Sequence, residues 1–172
     1  MPSPNESMPS QNFRPSDIHL ENAVETSSIT QWTNGFRNIW PEHEYAYMNI
    51  IRLEEEKPWL ETLKESNDEF LGDMDQEDWS VIEADAAIEY IGNKLHRTLA
   101  YSVVVVDEQI AKSWARSLVE SFATSDEGAV TWYTNVEDNS WNPVSNSTFD
   151  FCAVGVDTAS KSIGYLLITD ED

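Results

Sequence analysis

Hydrophobic positions along this chain recur at different intervals, and the changes of interval divide it into predicted elements. Val81, Ala84, Ile88, Ile91 and Leu95 alternate three and four residues apart, with Glu83, Asp85 and Glu89 off the stripe, which predicts an amphipathic helix. Ser80 followed by Glu83 has the form of a capping box and sets the predicted start of that helix. Ile110, Trp114, Leu118 and Phe122 repeat every four residues behind Asp107, whose carboxylate suits an N-cap, so a second helix is predicted from there to about residue 123. Between the two, residues 99–106 are β-branched and apolar on both faces, the pattern of a central strand covered on both sides. A short strand over 129–134 and a polar loop over 135–147 follow. Two strands over 149–156 and 162–169, turning at 157–161, then read as a hairpin.

The first half is less regular. In residues 45–53, Tyr47, Ile50, Ile51 and Glu54 fit a helical period, while Tyr47, Ile51 and Leu53 fit a strand; the helix is the preferred reading. Pro41 and Pro58 each stand where a first helical turn can open, because proline lacks the N–H that such a turn leaves unpaired. Glu42, Glu44 and Glu61 follow them and suit the positive end of a helix dipole. Trp32, Phe36 and Trp40 share one face if helical, although Asn34-Gly35 argues for a turn between them. Residues 1–30, with four prolines among Ser, Asn and Glu, form a predicted disordered leader. The expectation is therefore an α+β fold in residues 31–172. Its N-terminal acidic helices pack on one face of a mostly antiparallel sheet, and its C-terminal order is β-α-β-β-β.

Charge changes this picture most. Thirty-two Asp and Glu against ten Lys and Arg give a net charge of −22, and fourteen of the acids lie in residues 53–90 with only Lys57 and Lys64 among them. Nineteen aromatics and 40% hydrophobic residues still support a core, so the chain is not an acidic disordered segment. Direct binding to nucleic acid or to anionic membrane is excluded by sign, because both run on clustered cations. A single cysteine, Cys152, excludes an internal disulfide and a multi-thiolate zinc site. With no secretory signal or apolar span in view, the expected setting is the cytoplasm, and no cofactor is expected.

Catalytic patterns are incomplete. Residues 102–108, four valines ending in Asp107-Glu108, resemble the magnesium-binding strand of P-loop ATPases, but no Gly-rich phosphate loop accompanies them, and Asp107 is explained as a helix cap. His96-Arg97-Thr98 resembles half of a two-histidine phosphoesterase signature, yet neither His19 nor His43 supplies the second copy, and His96 and Arg97 suit a helix C-terminus. Asp73-Met74-Asp75-Gln76-Glu77 begins like a calcium loop but has Asp78 where Gly is required and Ala84 where Glu is. Cys152 lies in an apolar strand and reads as an inert buried thiol.

The acidic stretch remains. Glu54, Glu55, Glu56, Glu61, Glu65, Asp68, Glu69, Asp73, Asp75, Glu77 and Asp78 place carboxylates at i, i+3 and i+4 wherever helix holds, a spacing close to that of phosphates along a strand. Without intervening cations those charges repel, so the stretch reads as a surface for a basic partner, with Trp59, Trp79 and Trp141 as candidate anchors. The sequence thus predicts a non-enzymatic acidic inhibitor, either an immunity protein or antitoxin or a nucleic-acid mimic. Its expected partner is a basic protein such as a nuclease or a DNA- or RNA-binding protein. Two alternatives are a metal-dependent hydrolase using Asp150, Asp157 or Glu137, and an adaptor whose charge serves solubility.

Overall fold

The fold is described here from a computed structural model, over residues 44–53, 56–122, 130–137 and 140–170. The predicted leader, the aromatic repeat at 32–40, and Glu54 and Glu55 lie outside the described residues. Within them the class is α+β, with three α-helices and a five-stranded, wholly antiparallel sheet. The long strands β1 (Glu44–Arg52), β6 (Phe149–Asp157) and β7 (Ser162–Asp170) run side by side. The shorter β3 (Val130–Thr134) and β2 (Ser80–Ile82) complete the order β1-β7-β6-β3-β2. The β6–β7 hairpin turns at 158–161 as the sequence predicts, and Asp157 Oδ1 caps the turn by accepting from the Ala159 and Ser160 amides.

Both faces of this sheet are buried, where the pattern had predicted cover on one. Helices α2 (Ala84–His96) and α3 (Glu108–Phe122) cover the face formed by Ala46, Met48, Ile50, Trp132, Phe151, Ala153, Leu166 and Ile168. The opposite face, formed by Cys152, Val154, Val156, Ile163, Tyr165 and Leu167, is covered by the short helix α1 (Trp59–Ser66) and the chain leading from it to Trp79. Every residue of β7 is buried, the signature of a central strand.

Several expected elements differ. Residues 45–52 belong to strand β1 rather than to a helix, since pairing with β7 over the whole length of β1 satisfies its backbone. Ser80 does not open a helix: it starts β2, whose Val81 and Ile82 pair with Tyr133 and Trp132, and α2 begins at Ala84 without a side-chain cap. Of the predicted stripe, Ile88, Ile91 and Leu95 are buried together with Ala87, whereas Ala84 is exposed and Val81 lies in β2 with 67% of its surface exposed. Residues 99–106 are not a central strand. They form a looped connector between α2 and α3 with one isolated bridge, Arg97 to Val104, and Val103 and Val104 point to solvent. The connector holds itself: the Thr98 amide donates to Val103 O, the Ser102 amide to Thr98 O, and the Val105 amide to His96 O. Asp107 caps α3 as predicted, accepting at Oδ1 from the Gln109 and Ile110 amides at 2.9 and 3.3 Å. The predicted polar loop at 135–147 carries a small ribbon, β4 (Val136–Glu137) with β5 (Ser140–Trp141).

Candidate functional site

Residues 56–78 do not form a series of acidic helices. They are one α-helix, α1, followed by an irregular chain and a 3-10 turn over Gln76–Asp78. Apolar side chains spaced along this stretch, Leu60, Leu63, Phe70, Met74 and Trp79, insert into the sheet face and fix the backbone. Each such burial contributes on the order of 2 kcal/mol, whereas a like-charge pair at i, i+4 costs only about 0.2–0.5 kcal/mol, so packing overrides the repulsion of the carboxylates between them. Those carboxylates have only the outer side left to occupy. Glu56, Glu61, Glu65, Asp68, Asp73, Asp75 and Glu77 are exposed, and Glu69 and Asp78 are half-buried. Asp75 and Asp78 also cap the 3-10 turn reciprocally: Asp75 Oδ1 accepts from the Glu77 amide, and the Asp75 amide donates to Asp78 Oδ2 at 2.7 Å.

The described stretch 56–78 therefore carries nine acids and two lysines, a local charge of −7. Lys57 pairs with Glu65, and Lys64 donates to the Gly72 carbonyl. Over residues 83–122, which build the opposite layer, six acids meet Lys94, Arg97, Lys112 and Arg116 for a local charge of −2. There Lys112 reaches Glu89 at 3.1 Å, and Arg97 donates to the Ser102 carbonyl. Arg52 and Lys161 stand at the sheet end where the Leu53 amide donates to Lys161 O. The two layers thus differ in charge density by sequence segment, and the sheet between them keeps the segments apart.

A buried carboxylate positions the acidic layer. Asp150, 3% exposed, accepts at Oδ2 from the Val144 and Ser145 amides and the Ser145 hydroxyl, at 3.0, 2.8 and 2.8 Å. Its Oδ1 accepts from Asn135 Nδ2 at 2.6 Å and Trp141 Nε1 at 3.0 Å. Five donors compensate the desolvation of this charge. The segment so held then grips the acidic chain: the Leu71 amide donates to Val144 O, and Phe70 bridges to Ser145. Asn135 extends the network by donating to Asn142 O and accepting from the Cys152 amide. Nothing in the local sequence marked Asp150 for this role, because its donors come from residues 5 to 15 positions away and converge only in the fold.

The three candidate tryptophans have different surroundings. Trp79 is buried at 6% exposure and packs edge-on to half-buried Trp59 with centroids 5.6 Å apart, and Trp59 stacks on Tyr133 at 4.5 Å. These two rings support the acidic layer from beneath. Trp141 is 38% exposed, beside Phe149, with its indole N–H committed to Asp150.

The residues considered for metal binding do not converge. Asp150 and Asp157 lie near opposite ends of β6, seven residues or roughly 23 Å apart along the strand, and Glu137 accepts from the Ser80 hydroxyl. Among the described residues, no group of three or more His, Cys, Asp or Glu is arranged to hold a metal ion. His96 ends α2, as its neighbourhood predicted, and its Nδ1–H donates to the Val106 carbonyl, which fastens the connector. Cys152 is fully buried; burial holds its thiol well above the ordinary range, and the nearby Asp150 charge pushes it further. Burial likewise raises the Tyr165 phenol, opposed by hydrogen bonds from Asn67 and Ser66.

No helix among the described residues is long and apolar enough to cross a membrane. No protein-family model, curated protein or solved structure matches this chain.

Proposed function

We propose that this protein is a non-enzymatic acidic inhibitor that occupies the cationic site of a basic, nucleic-acid-handling protein. The observation that carries the reading is the uneven distribution of charge between the two layers. Exposed carboxylates from Glu56 to Glu77 cover α1 and the chain beyond it, giving residues 56–78 a local charge of −7 against −2 over residues 83–122, where four of the eight described Lys and Arg lie. Such an array presents to Lys and Arg what a phosphate backbone presents, and it steers a cationic partner over the range of a Debye length. An immunity protein plugging a nuclease cleft and a mimic disarming a DNA-binding protein are physically alike in this respect. Trp141, half-exposed at the far end of the Asp150 network, supplies an aromatic contact of the kind that anchors interfaces. The reading places the protein in the cytoplasm, where its single thiol stays reduced.

The test compares two multiple variants of a tagged protein against whatever partner the wild type captures in its native cell. Glu61→Gln, Glu65→Gln, Asp68→Asn, Asp73→Asn and Glu77→Gln together should abolish capture. Glu83→Gln, Asp85→Asn, Glu89→Gln, Glu108→Gln and Glu120→Gln, on the opposite layer, should leave it. Equal effects of the two sets, or an affinity indifferent to salt, would sink the proposal.

A further inference from the structure

The sheet ends at β2, beyond which no other strand lies among the described residues. In an antiparallel ladder each residue turns its N–H and C=O to the same side, and successive residues alternate. The Leu53 amide donates to Lys161 O, so the odd-numbered residues of β1 face β7, and the Ile50 amide, facing away, is closed by Asn49 Oδ1. The strand registers carry this alternation across the sheet: even-numbered residues of β7 face β6, those of β6 face β3, and those of β3 face β2. The Cys152 amide, on the β3 side, agrees by donating to Asn135 Oδ1. Ser80 and Ile82, opposite Thr134 and Trp132, therefore bond to β3, and Val81 between them turns its N–H and C=O out of the sheet. Trp79 (φ −117, ψ 134) and Glu83 (φ −74, ψ 157) are also extended, so the open edge spans residues 79–83.

This edge is apolar at its centre and anionic around it. Val81 is 67% exposed and lies on the sheet face of half-buried Tyr133, on which half-buried Trp59 stacks at 4.5 Å. Edge strands are ordinarily guarded by a Lys, a Pro or an inward charge, whereas Ser80-Val81-Ile82 has only its shortness. Residues 65–93 hold ten Asp and Glu and no Lys or Arg, and Glu137 Oε2, accepting from the Ser80 hydroxyl, adds a carboxylate beside the strand. Self-pairing of two copies about Val81 would set Glu77 opposite Asp85 and Trp79 opposite Glu83, and like charges facing each other destabilise a strand pair. A basic segment meets the reverse condition. We propose that β2 accepts an added strand from the basic partner, with an apolar residue opposite Val81 and Lys or Arg toward Glu77. Main-chain hydrogen bonds to Val81 hold the segment, and the carboxylates select its sign. The added strand presupposes the inhibitor reading above and specifies which part of a basic partner is engaged.

Hydrogen exchange in the full chain tests the edge, with the acetylated peptide Thr-Arg-Thr-Val-Thr-Arg-Thr as probe and its glutamate-for-arginine counterpart as control. Excess arginine peptide should slow exchange at the Val81 amide about tenfold, and the glutamate peptide should not slow it. Val81→Pro removes the outward N–H without breaking the ladder to β3, and proline is accepted on an edge, so this variant should fold and bind the arginine peptide about tenfold more weakly. Val81→Thr, which keeps both the amide and a β-branched side chain, should bind within about twofold of wild type. No slowing at Val81, equal slowing by both peptides, or protection that rises with protein concentration without peptide and so reports a second copy, would overturn the proposal. Should Val81→Pro fail to fold, the exchange measurement on the wild type decides alone. Capture of the native partner separates this proposal from the reading beneath it. If Val81→Pro captures like wild type while the five-carboxylate variant of the acidic layer does not, the added strand is overturned and the inhibitor stands; if both variants capture, both fall.

Discussion

Gly164 lies directly beneath the ring of Phe122: a β-carbon built on it would fall inside contact distance of three atoms of that ring. Its strand partner Gly155 stands in the same relation to Trp132, at 2.8 Å from the nearest ring atom. The two glycines open a recess in the middle of the sheet, and the two rings stack over it at 6.0 Å between centroids. The last residue of α3 is thereby seated on β7. Gly164→Ala is expected to lower stability by about 3 kcal/mol and Gly155→Ala by about 2 kcal/mol, the range of core overpacking. Urea denaturation measures both, and a loss below 1 kcal/mol at Gly164 would show that α3 is not fixed by this contact.

Asp150 concentrates five donors on one buried carboxylate. Removing the acceptor leaves those donors without a partner, so Asp150→Ala should cost about 4 kcal/mol. Asp150→Asn should cost roughly half as much, since one oxygen survives while the new NH₂ group meets only donors. Because Val144 and Ser145 hold Phe70 and Leu71, exchange protection around residues 70–71 should fall in both variants before it falls in β1.

The buried Cys152 thiol titrates above its ordinary range in the folded protein. In the unfolded chain it ionises near pH 8.5, so above that pH the unfolded state binds fewer protons than the folded one and stability declines as pH rises. The decline attributable to this group is about 1.4 kcal/mol per pH unit until the folded thiol itself ionises. Denaturation midpoints measured from pH 7 to 10 should therefore fall more steeply for the wild type than for Cys152→Ala. Alkylation of the native protein should be slow and should follow unfolding.

Neutralising Glu61, Asp68, Asp73 and Glu77 should stabilise the protein at low ionic strength, because the four side chains are exposed and surrounded by like charge. The gain should shrink toward 1 M salt, where the Debye length is about 3 Å. If the same variant also loses its partner, the repulsion is retained for binding; if it keeps full activity, the charge serves solubility alone.

The patterns that could be read from residues alone were those whose partners are local or whose burial is two-sided. Asp107 caps α3 two and three residues on, the four-residue stripe from Trp114 to Phe122 is buried, and the β6–β7 hairpin closes through adjacent residues. The concentration of carboxylates in residues 54–78 was equally legible, as composition. Assembly in three dimensions settled the rest. Strand propensity in 99–106 could not select a sheet position, because β7, β6 and β3 already pair with one another and the chain between α2 and α3 satisfies its own hydrogen bonds. β1 fits both a helical and a strand period, and only the free edge of β7 distinguishes them. The outward orientation of the acids follows from Leu60, Leu63, Phe70, Met74 and Trp79 finding one sheet face, with Asp150 holding that arrangement from inside. Hydrophobic spacing reports which side of a segment is apolar, whereas the surface it meets is set by long-range pairing that a local window does not contain.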